Sequence, residues 1–294
     1  MILQTNFLII LQSLIGLRRR NLAILLLRGG LGNQLHQIAG LLYYSDILDF
    51  DVMVYDGNLS GKVYAEGGST HLKALHVENW FPKGTALRFA TGLAKLLLKS
   101  MLSFLSKINR LQILKVNDLK LPNIKSIVFI QDFFQEKKYA LAVENHRILK
   151  IFGDQNEFFK EAKNSKVAAI HIRLTDYYKV DDQPLAADDY GLAIEKLQEF
   201  GVTHFDCFSD DLENAKALLP IGKGVNFAFP EERMTLDSRN VLRVISSYDY
   251  IIASRSSLCW WACYLASVRN PKSIVYHFWN QEYALELWKK TSSL

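Results

Sequence analysis

Three cysteines, six prolines and sixteen glycines in 294 residues leave several classes of protein out of reach. A disulfide-stapled scaffold needs an even, dense set of cysteines; an odd, sparse set fits a reducing cytosol instead. So little proline and glycine excludes collagenous and low-complexity chains, and 49% apolar against 22% charged residues excludes a disordered one. No uninterrupted hydrophobic run is long enough to span a membrane. Met1 to Leu17 is mostly apolar, yet Gln4, Thr5, Asn6, Gln12 and Ser13 break it. As a helix it would reach only ~26 Å against the ~30 Å of a bilayer core. Arg18, Arg19 and Arg20 follow this stretch rather than precede it, the reverse of a secretory signal. The expectation is a peripheral or unstructured tail over 1–20 on a cytoplasmic protein.

What is there begins with charge. The net formal charge of +5 is unevenly placed: residues 1–150 hold 19 basic and 10 acidic side chains, residues 151–294 hold 16 and 20. Lys83 to Lys125 alone carries nine basic residues against Asp118. Much of that stretch, Ala86 to Ile108, reads as a helix whose polar positions Lys95, Lys99, Ser103 and Lys107 recur every four residues. It lacks the interleaved aromatics of a nucleic-acid stacking platform, so no nucleic-acid partner is expected. A basic amphipathic helix suits an anionic lipid surface, and peripheral membrane contact through 83–125 and 1–20 is one expectation. An ordinary packed helix with a solvated lysine stripe is the other.

The chain order is strand, turn and helix, repeated. Leu22–Leu27 is a continuous apolar run ending in Gly29, Gly30 and Gly32, followed by Leu35, Ile38, Ala39 and Leu42 at helical spacing. Asp49–Tyr55 and Ser126–Gln131 read as strands, and 57–70, with Gly57, Gly61, Gly67 and Gly68, as a loop. Further on, Lys166–Ile172, His204–Phe208, Val225–Phe229, Tyr250–Ala253 and Ser273–Tyr276 alternate with helical segments at Tyr190–Phe200, Leu212–Leu219, Arg239–Ser247 and Leu258–Ser267. Such alternation predicts an α/β protein with doubly wound parallel sheets and ligands at the carboxyl ends of strands. The weakest boundary lies near Ile151–Lys166, which divides a tail over 1–20, a first domain over 21–155 and a second over 156–294.

Four clusters fall at predicted strand ends. Arg28-Gly29-Gly30-Leu31-Gly32-Asn33-Gln34 combines a sharp turn with free helix amides suited to an anion, without the Lys-Ser/Thr ending of a P-loop or the dinucleotide spacing. In His171-Ile172-Arg173, alternation points the imidazole and the guanidinium to one side, where arginine takes a diphosphate by charge-assisted bonds. Phe208-Ser209-Asp210-Asp211 places two carboxylates before a helix, for which capping is the plain alternative. Arg255-Ser256-Ser257 opens the helix that holds Cys259, Trp260, Trp261 and Cys263. The two cysteines read as core residues beside the tryptophans, and His36 as structural.

Together these motifs, in this order, resemble the α-1,2-fucosyltransferases of glycosyltransferase family 11: Gly29 to Gln34, His171 to Tyr177, Phe208 to Asp211 and Ser256 to Ala262. The departures are Leu174 for a second arginine, Thr175 for glycine, Arg255 for asparagine, Leu258 for phenylalanine and Cys259 for serine. The resemblance implies a GT-B-like pair of Rossmann-type domains with parallel sheets facing across a cleft, the first on the acceptor side and the second binding the nucleotide sugar. It implies inverting, metal-independent transfer of fucose from GDP-fucose to a hydroxyl of a glycan acceptor, O2 of a galactose-like residue, with no cofactor. Arg173, Asp176 and His171 then form the catalytic set, with Asp176 the nearest motif carboxylate for a general base. Arg28, Gly29, Gly30, Gly32, Asn33, Asp210, Asp211, Arg255, Ser256 and Ser257 bind the donor, Asp210 accepting from guanine or ribose. Neither Asp181-Asp182 nor Asp188-Asp189 has the Asp-x-Asp arrangement of metal-dependent transferases. The alternatives are a different nucleotide sugar or linkage, and a binding homologue without turnover.

Overall fold

The computed structural model describes residues 22–48, 51–55, 88–89, 92–107, 113–114, 127–135, 139, 163–174, 185–220, 224–229, 238–277 and 286–288. The chain divides into two compact units, Met1–Gly153 and Asp154–Leu294. Each is a sheet with helices, and each places its motif residues at the carboxyl ends of its strands.

The N-terminal unit runs β1 (Leu22–Leu26), α1 (Leu31–Leu48), β2 (Asp51–Tyr55), β3 (Arg88–Phe89), α2 (Gly92–Lys107), β4 (Ile113–Leu114) and β5 (Ile127–Ile130). Its parallel sheet has the order β3-β2-β1-β5-β4, with Leu22 opposite both Asp51 and Ile127. Strand β1 is buried along its whole length, as a continuous apolar run in a two-sided parallel sheet should be. The order reverses at β1, which has β2 on one side and β5 on the other, so the crevice at their carboxyl ends is a topological switch point.

Helix α2 begins later than the expected Ala86. Arg88 and Phe89 are drawn into a short edge strand opposite Met53 and Val54, so sheet pairing overrides helical periodicity there. The helix packs Leu98 fully, and Leu97, Met101 and Leu102 partly, onto Leu22, Ile24, Leu26, Met53, Tyr55 and Phe129. Leu96, Lys99, Ser100 and Ser103 face solvent. Among the described residues no helix is long and apolar enough to cross a membrane.

The C-terminal unit runs β6 (Lys163–Ile172), α3 (Ala187–Gln198), β7 (His204–Ser209), α4 (Leu212–Leu218), β8 (Asn226–Ala228), α5 (Ser238–Ser246), β9 (Tyr248–Ala253), α6 (Ser257–Arg269), β10 (Ile274–His277) and β11 (Glu286–Trp288). The sheet order is β11-β10-β9-β6-β7-β8, and its neighbours are parallel except β11, which runs antiparallel to β10. That edge strand departs from the all-parallel expectation, and an antiparallel edge on a parallel sheet is common. Here the switch point lies at β6, between β7 and β9. Helix α6 is buried from Cys259 to Ser267 on every face, the pattern of a helix enclosed by its domain. Its far end is pinned by Arg269, which donates to Ser246 O, Tyr248 O and, at 2.6 Å, Asp249 Oδ1. That anchorage at the start of β9 fixes where the helix begins, beyond the end of β9.

Candidate functional site

In the N-terminal unit the turn after β1 is shaped by glutamines of the helix that follows it. Gly29 adopts φ +73°, a left-handed conformation that glycine takes without strain, and a Cβ there would lie 2.7 Å from Asn33 Nδ2. Gln37, fully buried, donates through Nε2 to Arg28 O (2.7 Å) and Asn33 O (3.1 Å), while its Oε1 accepts from Arg28 N (3.1 Å). It thus satisfies both peptide groups of Arg28 as a neighbouring strand would. Gln34 Nε2 holds Gly29 O at 2.9 Å. The first intrahelical bond runs from Gln34 N to Gly30 O, so the amides of Leu31, Gly32 and Asn33 precede the helical ladder, where a helix start is suited to an anion.

The segment after β5, residues 131–135, lies against this turn. Phe134 has φ +52°, rare for a bulky side chain, and its ring occupies the space over Gly40, where a Cβ would come within 2.1 Å. Around that fixed residue its neighbours reach the glycine turn. The exposed Arg28 guanidinium lies 5.3 Å from the Phe133 ring centre. Gln131 Oε1, oriented toward it, accepts from Arg28 Nη1 (2.8 Å) and Nε (3.1 Å), and Gln135 Nε2 donates to Asn33 Oδ1 at 2.9 Å.

In the C-terminal unit the motif residues after β6, β7 and β9 meet at neighbouring strand ends. Pairing sets Ile172 opposite Ser209, which brings Arg173 beside Asp210. Asp210 Oδ2 is 3.1 Å from Arg173 Nε, and its Oδ1 accepts from Leu174 N at 2.8 Å. Asp211 turns the other way: it is the N-cap of α4, accepting from Asn214 N (3.2 Å) and Asn214 Nδ2 (2.7 Å). Capping, the plainer reading of this pair of carboxylates, thus describes Asp211. His171 is buried, its Nδ1 2.6 Å from Ser254 Oγ, so the imidazole ties the end of β6 to the turn that starts α6. Ser256 is the N-cap of α6 without a side-chain capping bond. Ser256, Ser257 and Arg255 are all half-buried at that helix start.

Beneath His171 lies Cys259. Burial pushes its thiol up, but hydrogen bonds with Cys263 and His171, the charge of His171 and the Ser254 backbone outweigh this and bring it down to about 6. Cys263, buried in the same helix, is raised by burial and by Cys259. Both cysteines are core residues beside Trp260, Trp261 and Tyr264, and Cys259 in addition touches the histidine of the site. Asp176, Asp181 and Asp182 lie outside the described residues. Asp189 Oδ2 accepts from Ala186 N at the start of α3, a capping bond. Among the described residues no three His, Cys, Asp or Glu side chains are grouped to hold a metal ion.

Gln37, Gln131, Phe133 and Gln135 were not singled out by motif. Two signals point to them. Gln37 stands four residues after Asn33, on the face of α1 that meets the turn, and residues 131–135 leave the carboxyl end of the strand beside β1.

Glycosyl transferase family 11 matches the chain over residues 97–290. No curated protein matches it. Among solved structures, an α-1,6-fucosyltransferase, NodZ, co-crystallised with GDP, superposes with a TM-score of 0.50 at 12% identity, covering 92% of this chain and 99% of that one. The same enzyme soaked with GDP-fucose gives 0.50 at 10% identity over 92% and 98%. The fucosyltransferase NodZ from Bradyrhizobium gives 0.50 at 11% over 92% and 99%. The shared architecture is GT-B-like, two Rossmann-type units in one chain.

Proposed function

Since the chain belongs to glycosyl transferase family 11, we propose that it transfers fucose from GDP-fucose to O2 of a galactose-like residue in a glycan acceptor. The observation that carries this reading is Arg173, held by Asp210 at the end of β6 beside the uncapped start of α6. Fucosyl transfer passes through an oxocarbenium-like centre as GDP departs, so the main demand on the protein is positive charge and donors at the β-phosphate. Arg173 supplies the guanidinium that takes the diphosphate oxygens. Ser256, Ser257 and the first amides of α6 supply neutral donors to the same diphosphate. With these in place the transfer runs without a metal ion. NodZ, soaked with GDP-fucose, has the same architecture.

In the transfer the acceptor oxygen forms a bond to the fucose anomeric carbon as the bond to the GDP oxygen breaks, with inversion. The acceptor proton passes to a carboxylate, for which Asp176 is the candidate nearest the motif. His171, buried on Ser254, is an orienting hydrogen-bonder in this scheme. In the N-terminal unit, Arg28, Asn33 and the amides after Gly29 take sugar or phosphate oxygens. The protein works in the cytoplasm; the apolar face of α2 is taken up by the sheet, which supports the packed-helix reading with Lys99 on its solvated side.

The test is a panel of nucleotide sugars crossed with galactosides, scored by product mass, linkage and GDP release. A +fucose product linked α-1,2, formed with and without chelator, is expected. A product from another donor, or an α-1,6 linkage as NodZ makes, overturns the corresponding part; GDP binding without any release makes the chain a binding homologue.

A further inference from the structure

We propose that Gln135 is a further sugar-binding residue of the transferase: joined amide to amide with Asn33, it takes a hydroxyl of the fucose or of the acceptor, and Phe134, seated over Gly40, is the positioning residue that puts it there. The inference rests on the transferase reading above and adds to it a residue from the segment after β5.

Phe134 has φ +52°, a left-handed conformation that strains a bulky residue and persists only where its surroundings over-determine it. Here they do. The Phe134 side chain is 2% exposed, its ring meets that of Tyr139 edge-on at 5.3 Å, and it lies over Gly40 of α1, where a methyl group would overlap its Cβ, Cγ and Cδ1. Asp132 Oδ1 accepts from Phe134 N at 3.3 Å. Gly40 is buried in the interior of a helix, where alanine is the better helix former, so room for this ring is what the glycine supplies. The residues on either side of Phe134 both reach the turn after β1, Phe133 at the Arg28 guanidinium and Gln135 at Asn33.

A bond between side chains 102 residues apart, on an exposed glutamine, adds little to folding because water competes for it. Backbone strain that holds such a bond in place therefore points to function. Gln37, buried under the same turn, is the structural member of the amide set; Gln135 is the exposed one. Its Nε2 donates to Asn33 Oδ1 at 2.9 Å, which leaves Asn33 Nδ2 as a donor and Gln135 Oε1 as an acceptor, neither with a protein partner among the described residues. Asn33 Nδ2 stands over Gly29, 2.7 Å from where a Cβ would be, in the turn at the carboxyl end of β1. A hydroxyl donates and accepts at once, so a sugar hydroxyl satisfies both groups of the pair. A phosphate oxygen only accepts and would meet Gln135 Oε1 without a proton between them.

The test is titration of GDP, GDP-fucose and a β-galactoside into the full chain and its variants, with KM for both substrates and melting temperatures measured alongside. Gln135→Ala should melt within about 2 °C of wild type. It should weaken the galactoside, or GDP-fucose but not GDP, by about 3- to 10-fold, the worth of one hydrogen bond, with KM moving more than kcat; the substrate that weakens is the one whose hydroxyl is held. Gly40→Ala expels the Phe134 ring, so it should weaken the same substrate and also lower the melting temperature. The double variant should bind that substrate as Gly40→Ala does, within about twofold, since the contact is already lost. Phe134→Gly, which removes the ring without a clash, carries the same expectation should Gly40→Ala not fold. Unchanged binding of both substrates by Gln135→Ala overturns the sugar-binding role, as does an equal loss for GDP and GDP-fucose, which would put the nucleotide on the pair. Additive losses in the double variant, or wild-type binding by Phe134→Gly, overturn the positioning role of Phe134. A wild-type chain that binds both substrates and makes no product overturns the transferase reading alone, and the titrations still decide the role of Gln135.

Discussion

At the carboxyl end of β1 the chain is held by neutral amides, and at the carboxyl end of β6 by charge. Gln34 and Gln37 fix the glycine turn, Gln131 holds Arg28 and Gln135 holds Asn33. In the other unit Asp210 holds Arg173, and the His171 imidazole bridges Ser254 and Cys259. Both are switch-point sites on parallel sheets, so the difference lies in what each must present. Amide clamps set a backbone shape and leave peptide donors free without adding charge. An ion pair sets the direction of a charge, which is what a departing diphosphate needs. The two ends should therefore respond to mutation in opposite ways, one through catalysis and one through folding.

The largest expected effect tests the charged end. Arg173→Ala should lower kcat for fucosyl transfer by about 100- to 1000-fold, the usual cost of removing one preorganised donor from a developing negative charge. Because the side chain is 36% exposed and its ion pair with Asp210 is only partly buried, its removal should cost no more than about 1 kcal/mol of stability. Steady-state GDP release and a urea titration measure the two quantities side by side. A well-folded variant with near-normal turnover would erase the contrast.

Next comes the amide end. Gln37 is fully buried and makes three bonds to backbone groups, so Gln37→Leu leaves Arg28 N and Arg28 O without their partner in a part-buried site, while Asn33 O keeps its place in the helical ladder. A buried group without a partner costs about 1–3 kcal/mol; a loss of that order in the urea midpoint is expected, with a decrease in kcat well short of that for Arg173→Ala. Should Gln37→Leu leave stability untouched while Arg173→Ala lowers it, the division of labour between the two ends is reversed.

How far the sequence discloses this contrast depends on which interactions lie along the chain. The alternation of apolar runs and helical periods gives the order of elements, and β1, β7 and α6 stand within two residues of expectation. His171, Arg173, Asp210 and Ser256 are legible as neighbours because strand-end position brings them to the carboxyl ends of adjacent strands. Their mutual bonds are not, since Leu174 N with Asp210 and His171 with Ser254 depend on strand register across 36 and 83 residues of chain. Arg88 and Phe89 show the opposite failure, a helical pattern taken over by an edge pairing with β2. Phe134 is the least legible, since nothing local marks a phenylalanine for a left-handed conformation; the space left by Gly40, 94 residues earlier, admits its ring.

The smallest effect concerns His36, one helical turn from the glycine loop and buried with its amide neighbours. Burial lowers its pKa from 6.5 to about 3, so between those values the unfolded chain binds a proton that the folded chain does not. Stability therefore rises with pH across that window: the contribution is intact above 6.5 and is lost as pH falls toward 3. One such group gives a slope of at most about 1.4 kcal/mol per pH unit. Carboxylates also drive acid unfolding, but they act equally in a variant without the imidazole. His36→Leu should thus lose less stability than wild type between pH 6.5 and 4.5 in urea titrations, whatever its stability at pH 8. Parallel curves for the two proteins would mean that protonated His36 is accommodated in the folded unit.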